Sequence, residues 1–222
     1  MIKLAFFNNK GGVGKSTAAI NVAHAMSRLG KKILVVDCDS QMNAFRFLSD
    51  EQDMEIIQNT RYENIKTACY NQGIDVLAKK FFEFDFMLLD LPPSLDEQTS
   101  QIISSCDYVF VPIELGTFAI SGIANVTEAI AATGARFGGC FVSKFDRSNP
   151  IDHELDKQLR QTLKVMSTKI PSSRVIKNSI SYRMTAFEYM PWEEAAGAYT
   201  ELTNEIITIC ANLPGKEVSD NA

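Results

Sequence analysis

The sequence predicts an α/β fold, one domain with a mainly parallel, twisted sheet and helices on both faces. Three observations carry this. Short continuous apolar runs such as Lys32–Val36 (KILVV) recur along the chain, the pattern of strands covered on both faces. Between them lie stretches whose apolar residues fall at helical spacing. The 222 residues and 45% hydrophobic content fill one core of this kind and leave a second full domain short of material. Strand–helix alternation implies right-handed crossovers between parallel strands, and it places a ligand at the strands' carboxyl ends.

The elements follow in order. Ile2–Asn8 is a short apolar run with β character. Lys15–Leu29 is a helix, with Ala19, Val22, Ala23 and Met26 on one stripe and Gly30 as its stop. Lys32–Val36 is the second strand. From Asp39 to about Lys80 the pattern is weakest, and Ile74–Leu77 (IDVL) reads as a further strand. Phe84–Leu89 is a strand leading to Asp90. Pro92-Pro93 marks the loop after it, because proline lacks a ladder donor and restricts its predecessor. Tyr108–Pro112 and Gly139–Ser143 complete the strands, and helices fill the gaps near 95–105, 118–133, 152–166 and 192–211. The domain is expected over 1–213, with the polar stretch 214–222 a disordered tail.

A net charge of −5 argues against a generally basic nucleic-acid binder. It hides an asymmetry. Between Val142 and Met190, nine Lys/Arg residues stand against five acids, so this stretch is +4 and the remainder −9. Such a balance suits a basic face that attracts DNA phosphates without reading sequence; an ordinary mixed-charge surface has the same count. Five cysteines at 38, 69, 106, 140 and 210 form no C-x-x-C pair and are expected as buried free thiols in a reducing cytoplasm. Together with only two histidines, His24 and His153, they argue against zinc, an iron–sulfur cluster or a His-based metal site. The opening Met1-Ile2-Lys3 lacks a signal-peptide form. No apolar run approaches the roughly 18 residues that cross a membrane.

The chemistry concentrates at Asn9-Lys10-Gly11-Gly12-Val13-Gly14-Lys15-Ser16-Thr17, between the first strand and the first helix. A phosphate chain is wrapped by successive backbone N–H groups, which needs residues free of Cβ and tolerant of positive φ. The following helix aims its positive end at the same anion. Lys15 supplies a cation to the outer phosphates and Ser16 a hydroxyl for magnesium. Lys10 is a second lysine at the loop entrance; spacing alone leaves it either a solvated cation or a functional one. Asp37 and Asp39 follow the second strand, and Asp90 closes the strand Phe84–Leu89. Magnesium needs carboxylates or carboxylate-held waters, and an attacking water needs aligning with the terminal phosphate.

The run FNNKGGVGKSTAAINVAHAMSRLGKKILVVDCDSQMN and the later FDFMLLDLPPS resemble the ParA/MinD group of P-loop ATPases with a deviant Walker A loop. The resemblance is strongest over 2–43 and 84–115. The first loop position is Asn9 rather than glycine, Ser40 replaces the group's usual proline, and Met42 its usual glycine. The resemblance implies that Lys10 reaches across a dimer to the partner's nucleotide. It implies a catalytic set of Lys10, Lys15 and Asp39, with Asp39 aligning the attacking water. ATP binding then falls to Lys10, Gly11, Gly12, Val13, Gly14, Lys15, Ser16, Thr17 and Asp90, with Mg2+ held through Ser16, Asp39 and Asp90. Base contacts are expected near Ser143 to Phe145 and Ile170 to Pro171. The small ParA type best fits the chain: an ATP-dependent homodimer that binds DNA non-specifically and answers to a ParB-like activator carrying cargo. Arg160, Lys164, Arg174, Lys177 and Arg183 are the candidate DNA contacts, and a cytoplasmic, nucleoid-associated protein is expected. A MinD-like membrane switch wants a basic amphipathic C-terminal helix, whereas Glu201–Leu213 is acidic to neutral. An iron–sulfur carrier lacks its cysteines, a ligase-like enzyme has no need of Lys10, and a tyrosine kinase lacks its tyrosine cluster.

Overall fold

The computed structural model describes residues 1–49, 57–70, 73–80, 82–116 and 119–213; the expected tail at 214–222 lies outside these. The elements run β1 (Ile2–Phe6), α1 (Lys15–Arg28), β2 (Ile33–Asp37), α2 (Asn43–Leu48), β3 (Gln58–Asn59), β4 (Ile65–Cys69) and α3 (Ile74–Lys80). They continue β5 (Phe86–Asp90), α4 (Glu97–Ser104), β6 (Tyr108–Glu114), α5 (Ala119–Ala132), β7 (Arg136–Phe145) and α6 (Pro150–Thr162). The last are β8 (Val165–Pro171), α7 (Arg174–Ser181), α8 (Ala186–Tyr189) and α9 (Glu194–Ala211).

The eight strands lie in the order β3-β4-β2-β5-β1-β6-β7-β8, parallel except for the two-residue β3. Alternate residues of the central strands feed two cores. Leu4, Phe6, Ile33, Val35 and Leu88 pack with α1 and α9 on one face. Ala5, Phe7, Leu34, Val36 and Leu89 pack with α3, α4, α5 and α6 on the other. Sequences buried on both faces show no polar alternation, which is why β2 and β5 read as unbroken apolar runs. The chain winds outward from β1 in both directions, so the carboxyl end of β1 is the point where crossovers diverge.

Two expectations are corrected. Ile74–Leu77 is helical rather than a strand: Ile74 and Leu77 are buried three apart, a helical interval. The strand in this region is β4, Ile65–Cys69, paired in parallel with β2. The helix expected to 166 ends at Thr162, because Met166, Thr168 and Ile170 alternate inward as β8. That edge strand is capped by side chains. Arg160 donates to the Met166 carbonyl at 3.1 Å, and the Glu205 carboxylate accepts the Ser167 and Thr168 N–H groups at 2.8 and 2.7 Å. Occupied edge groups offer no template to another chain.

Between β6 and β7 the register slips, so that Val109 pairs with Phe137 and Phe110 with Gly139. Gly138 is the extra residue of this bulge, and a Cβ there would come within 2.5 Å of the Phe110 ring. Phe110 is fully buried and cannot retreat. Gly138→Ala is expected to lower unfolding free energy by about 2 kcal/mol, the usual cost of overpacking. Urea denaturation measures it, and an unchanged midpoint would mean the ring has room to move.

Candidate active site

β1 ends at Phe6, and the loop that follows is built on Asn8. This buried side chain donates Nδ2–H to the Pro112 carbonyl at 2.8 Å and accepts the Lys10 N–H on Oδ1 at 2.9 Å. It ties the loop entrance to the end of β6. Gly12 (φ 75) and Gly14 (φ 96) then take left-handed backbone conformations. A Cβ at Gly11, Gly12 or Gly14 would meet nothing within 4 Å. The glycines therefore serve backbone shape and access rather than packing. Val13 alone points inward: it is fully buried, and its carbonyl accepts the Ser143 hydroxyl at 2.8 Å. Gly14 is the N-cap of α1 with no side-chain partner, so the helix's first N–H groups face the loop.

Lys15 is 7% exposed, and its Nζ donates to the carbonyls of Asn8 (3.2 Å) and Lys10 (3.3 Å). Burial lowers its pKa, while Asp90 and Asp39 pull it back up. Three carboxylates stand across from it. Asp37 and Asp90 end adjacent strands in register with each other. Asp37 is satisfied by backbone: Oδ1 accepts the Asp39 N–H at 3.0 Å and Oδ2 the Phe45 N–H at 2.9 Å. Asp39 accepts the Gln41 N–H at 2.9 Å and is half-buried. Asp90 is different. It is fully buried, and among the described residues neither oxygen has a hydrogen-bond partner; the Ser16 hydroxyl is near enough to favour the carboxylate without closing a regular bond. Burial pushes its pKa up to about 7, Asp37 adds to the rise, and Ser16 and Lys15 oppose it.

Gly11, Gly12, Gly14, Lys15, Ser16, Thr17 and Asp39 line one cavity of about 470 Å³, with Pro93 and part of α2. Asp90 lies beneath it at the end of β5, and Lys10 stays outside with an exposed side chain. A second cavity of about 510 Å³ adjoins at Gly14 and Thr17 and includes Ser143, Lys144, Ile170 and Pro171. The stretches expected to contact a base therefore meet beside the loop. Phe145 does not join them: it is 5% exposed, with the Lys169 ammonium 4.4 Å from its ring centre. The sequence marks Pro93 only as a loop residue and gives no sign of the role of Asn8, whose acceptor, the Pro112 carbonyl, is distant in sequence.

The basic stretch is less free than its count suggests. Arg160 is paired with Asp156 at 3.0 Å and with the Met166 carbonyl. Arg183 donates to the carbonyls of Arg46 and Ser49, each at 2.6 Å. Both guanidinium groups are already held by internal acceptors, which leaves them less free than the other candidates to meet DNA phosphates. Lys144, Arg147 and Lys169 pair with Glu114, Glu194 and Asp156. Lys164, Arg174 and Lys177 remain exposed, the last two one turn apart on α7, whose Val175, Ile176 and Ile180 pack on the core.

A glycine-rich loop between a parallel strand and a helix, with a lysine, a hydroxyl and strand-end aspartates around it, defines a P-loop nucleotide-binding protein. The chain belongs to the CobQ/CobB/MinD/ParA nucleotide binding domain family, whose profile spans residues 4–186. The chromosome-partitioning ATPase Soj of Thermus thermophilus is 28% identical over 236 residues, covering 92% of this chain and 95% of the relative. The fold matches the cell division ATPase MinD of Pyrococcus furiosus with a TM-score of 0.80 at 21% identity, over 94% of this chain and 99% of that one. It matches cobyrinic acid a,c-diamide synthase of Mycobacterium smegmatis, solved with an ATP analog and magnesium, with a TM-score of 0.78 at 20% identity, over 96% of each chain. The ParA/MinD resemblance and the α/β fold are both borne out.

The residues present fit a magnesium–triphosphate. Open glycine amides suit the anion, and the unpartnered Asp90 carboxylate suits a cation's water shell. Among the described residues no three His, Cys, Asp or Glu side chains converge as a metal cage, which suits an ion completed by ligand oxygens and water.

An isolated buried carboxylate has a definite pH signature. Because the Asp90 pKa is raised in the folded state, its penalty is absent below the unfolded value. It grows as pH rises from about 4 to about 7 and is complete above that. The ligand-free protein is expected to lose up to about 4 kcal/mol across that window on this account. Asp90→Asn should flatten most of the fall, leaving the smaller slope from Asp37, whose pKa burial also raises. Denaturant midpoints at pH 5 and pH 8 measure it; equal slopes in both proteins would remove Asp90 as the cause.

Proposed function

We propose that this chain is a ParA-type partition or positioning ATPase, acting in the cytoplasm on the nucleoid as an ATP-bridged homodimer. The observation that carries the reading is the pair of lysines on one loop. Lys15 lies inside the cavity, committed to the loop and its anion. Lys10 stands at the same entrance with its side chain in solvent, placed to serve a site other than its own. The family relationship and the likeness to Soj support the same reading.

In this mechanism the amides of Gly11 to Gly14 and the α1 N-terminus hold the phosphates, and Lys15 exchanges its two carbonyl partners for phosphate oxygens. Mg2+, when bound, would supply charge neutralisation at the outer phosphates. The Ser16 hydroxyl and the Asp90 and Asp39 carboxylates are the groups that would hold it or its waters. Asp39, on the loop that Asp37 pins, orients the water for in-line attack. Lys10 of a second copy completes the pocket, in the manner of an arginine finger. The cavity lined by Ser143, Ile170 and Pro171 takes the nucleoside. Lys164, Arg174 and Lys177 bind DNA backbone without sequence preference in the ATP dimer. Hydrolysis, slow alone and stimulated by a ParB-like partner, releases it.

A MinD-like membrane role shares the fold. Yet α9 carries Glu194, Glu201 and Glu205 and no Lys or Arg, so it offers anionic lipid no counter-charge. Among the described residues no helix is long and apolar enough to cross a membrane. A ligase-like activity also shares the fold and leaves the solvent position of Lys10 without a use.

A DNA-retention assay with ATP, ADP and no nucleotide tests the scheme. Retention is expected with ATP alone, abolished in Lys10→Ala and weakened uniformly across DNA sequences in Arg174→Ala and Lys177→Ala. Each of the latter should lower the salt slope by about 1. Retention that ignores nucleotide would sink the switch, and liposome binding in its place would favour the membrane role. Asp39→Ala should bind ATP and dimerise while turnover falls roughly 100-fold or more; brisk hydrolysis by that variant would overturn its role.

A further inference from the structure

Arg183 has a left-handed backbone, with φ 53. A side chain with a Cβ adopts this region at a cost, and folded proteins keep it where surroundings over-determine it. The residue directly follows the C-cap of α7, and its N–H donates to the Ile180 carbonyl at 3.0 Å. From that corner its guanidinium crosses to α2. Nη2 lies 2.6 Å from the Arg46 carbonyl, 2.6 Å from the Ser49 carbonyl and 3.5 Å from that of Phe47. These acceptors lie at the carboxyl end of a six-residue helix, where carbonyls lose their intrahelical partners and the dipole is negative. A cation that gathers them ends the helix and anchors it.

The anchor lies at the catalytic cavity. Ile180 and Arg183 line it from one side, and Asn43, Arg46 and Phe47 from the other. The front of the same segment is pinned by Asp37, which accepts the N–H groups of Asp39 and Phe45. Met42, the N-cap of α2, is itself left-handed at φ 51. The segment Asp37–Ser49 is therefore bent sharply, held at the front by a strand-end carboxylate and at the back by the guanidinium of Arg183, just beyond α7. Asp39 lies between the two pins. A six-residue helix has little stability of its own, so loss of the back pin frees the front to sample other arrangements.

We propose that Arg183 is a positioning residue for hydrolysis: its clamp on the α2 carbonyls keeps the Asp37–Ser49 segment in the one arrangement that aligns Asp39 over the phosphate loop. The proposal rests on the role given to Asp39 above. Nucleotide affinity is set mainly by the glycine loop and Lys15, which Arg183 does not hold. Turnover depends on the fraction of molecules with Asp39 aligned, so the clamp acts on kcat and leaves binding nearly alone.

The test uses Arg183→Gly and Arg183→Lys in the full chain. Glycine deletes the clamp and suits the left-handed backbone, which separates loss of the contact from backbone damage. Lysine keeps the charge and loses the planar fork. Three measurements are needed: ATP turnover, Mg-ATP affinity by calorimetry, and amide hydrogen exchange over 43–49. Arg183→Gly is expected to lower kcat roughly 10- to 100-fold with affinity changed less than about twofold, and to speed exchange in α2 while α1 stays protected. Arg183→Lys should fall between. Wild-type turnover or unchanged α2 protection in the glycine variant overturns the proposal. So does a parallel collapse of kcat, affinity and melting temperature, which marks a merely structural contact. A wild-type chain that binds Mg-ATP without hydrolysing it overturns instead the ATPase reading on which the catalytic half depends.

Discussion

The site depends on one constraint: a stretch of backbone must keep its N–H groups turned toward an anion rather than toward the protein. Buried amides are ordinarily paired, and a loop that withholds them needs holding from outside. Asn8 does this at the entrance, bonded to the end of β6 on one side and to the Lys10 amide on the other. Val13 does it at the centre through its buried side chain and the Ser143 hydroxyl. The two anchor points lie on β6 and β7, so the loop inherits its shape from the sheet. The left-handed glycines relieve what strain remains.

The carboxylates divide their labour by satisfaction rather than by position. Asp37 and Asp90 end adjacent strands and are both buried, yet their surroundings differ. Asp37 accepts two backbone N–H groups and is spent on bending the chain into α2. Asp90 accepts none and carries the cost of an isolated buried acid. A buried charge is tolerated where something neutralises it. Lys15 does so only in part, since its ammonium also serves two loop carbonyls. What the fold leaves unbalanced beneath the loop is negative, which suits a site receiving a metal ion together with its anion.

Legibility in sequence followed the range of the interaction. The glycine loop, α1, β2 and β5 were plain because their determinants are local: left-handed glycines, an apolar stripe, runs buried on both faces. β4 and β8 escape the sequence pattern because each is half-polar, and their register is imposed by the neighbouring strands β2 and β7. Ile74–Leu77 reads as a strand because Ile74, Val76 and Leu77 make a short apolar run, which periodicity alone does not assign to strand or helix. At the site, the phosphate residues were visible by spacing, while Asn8 was not, since its acceptor lies at Pro112. The charge count overstated the basic face for a related reason: composition cannot distinguish a solvated arginine from one spent on capping, as Arg160 and Arg183 are.

Met42 and Arg183 join these threads. Each occupies a left-handed corner where glycine would be unstrained, at opposite ends of α2's attachment to the rest of the site. Met42 brings its thioether within 3.5 Å of the Cys69 thiol, and Arg183 brings its guanidinium to the helix's last carbonyls. In both cases a side chain that can reach a distant partner has been set on backbone that disfavours side chains. Glycine at either corner would ease the backbone and free the segment. The chain instead bears the strain and gains fixed contacts at both ends of α2, the helix that follows Asp39. A bent segment held this way has few alternatives close in energy, which is what alignment of a single water requires.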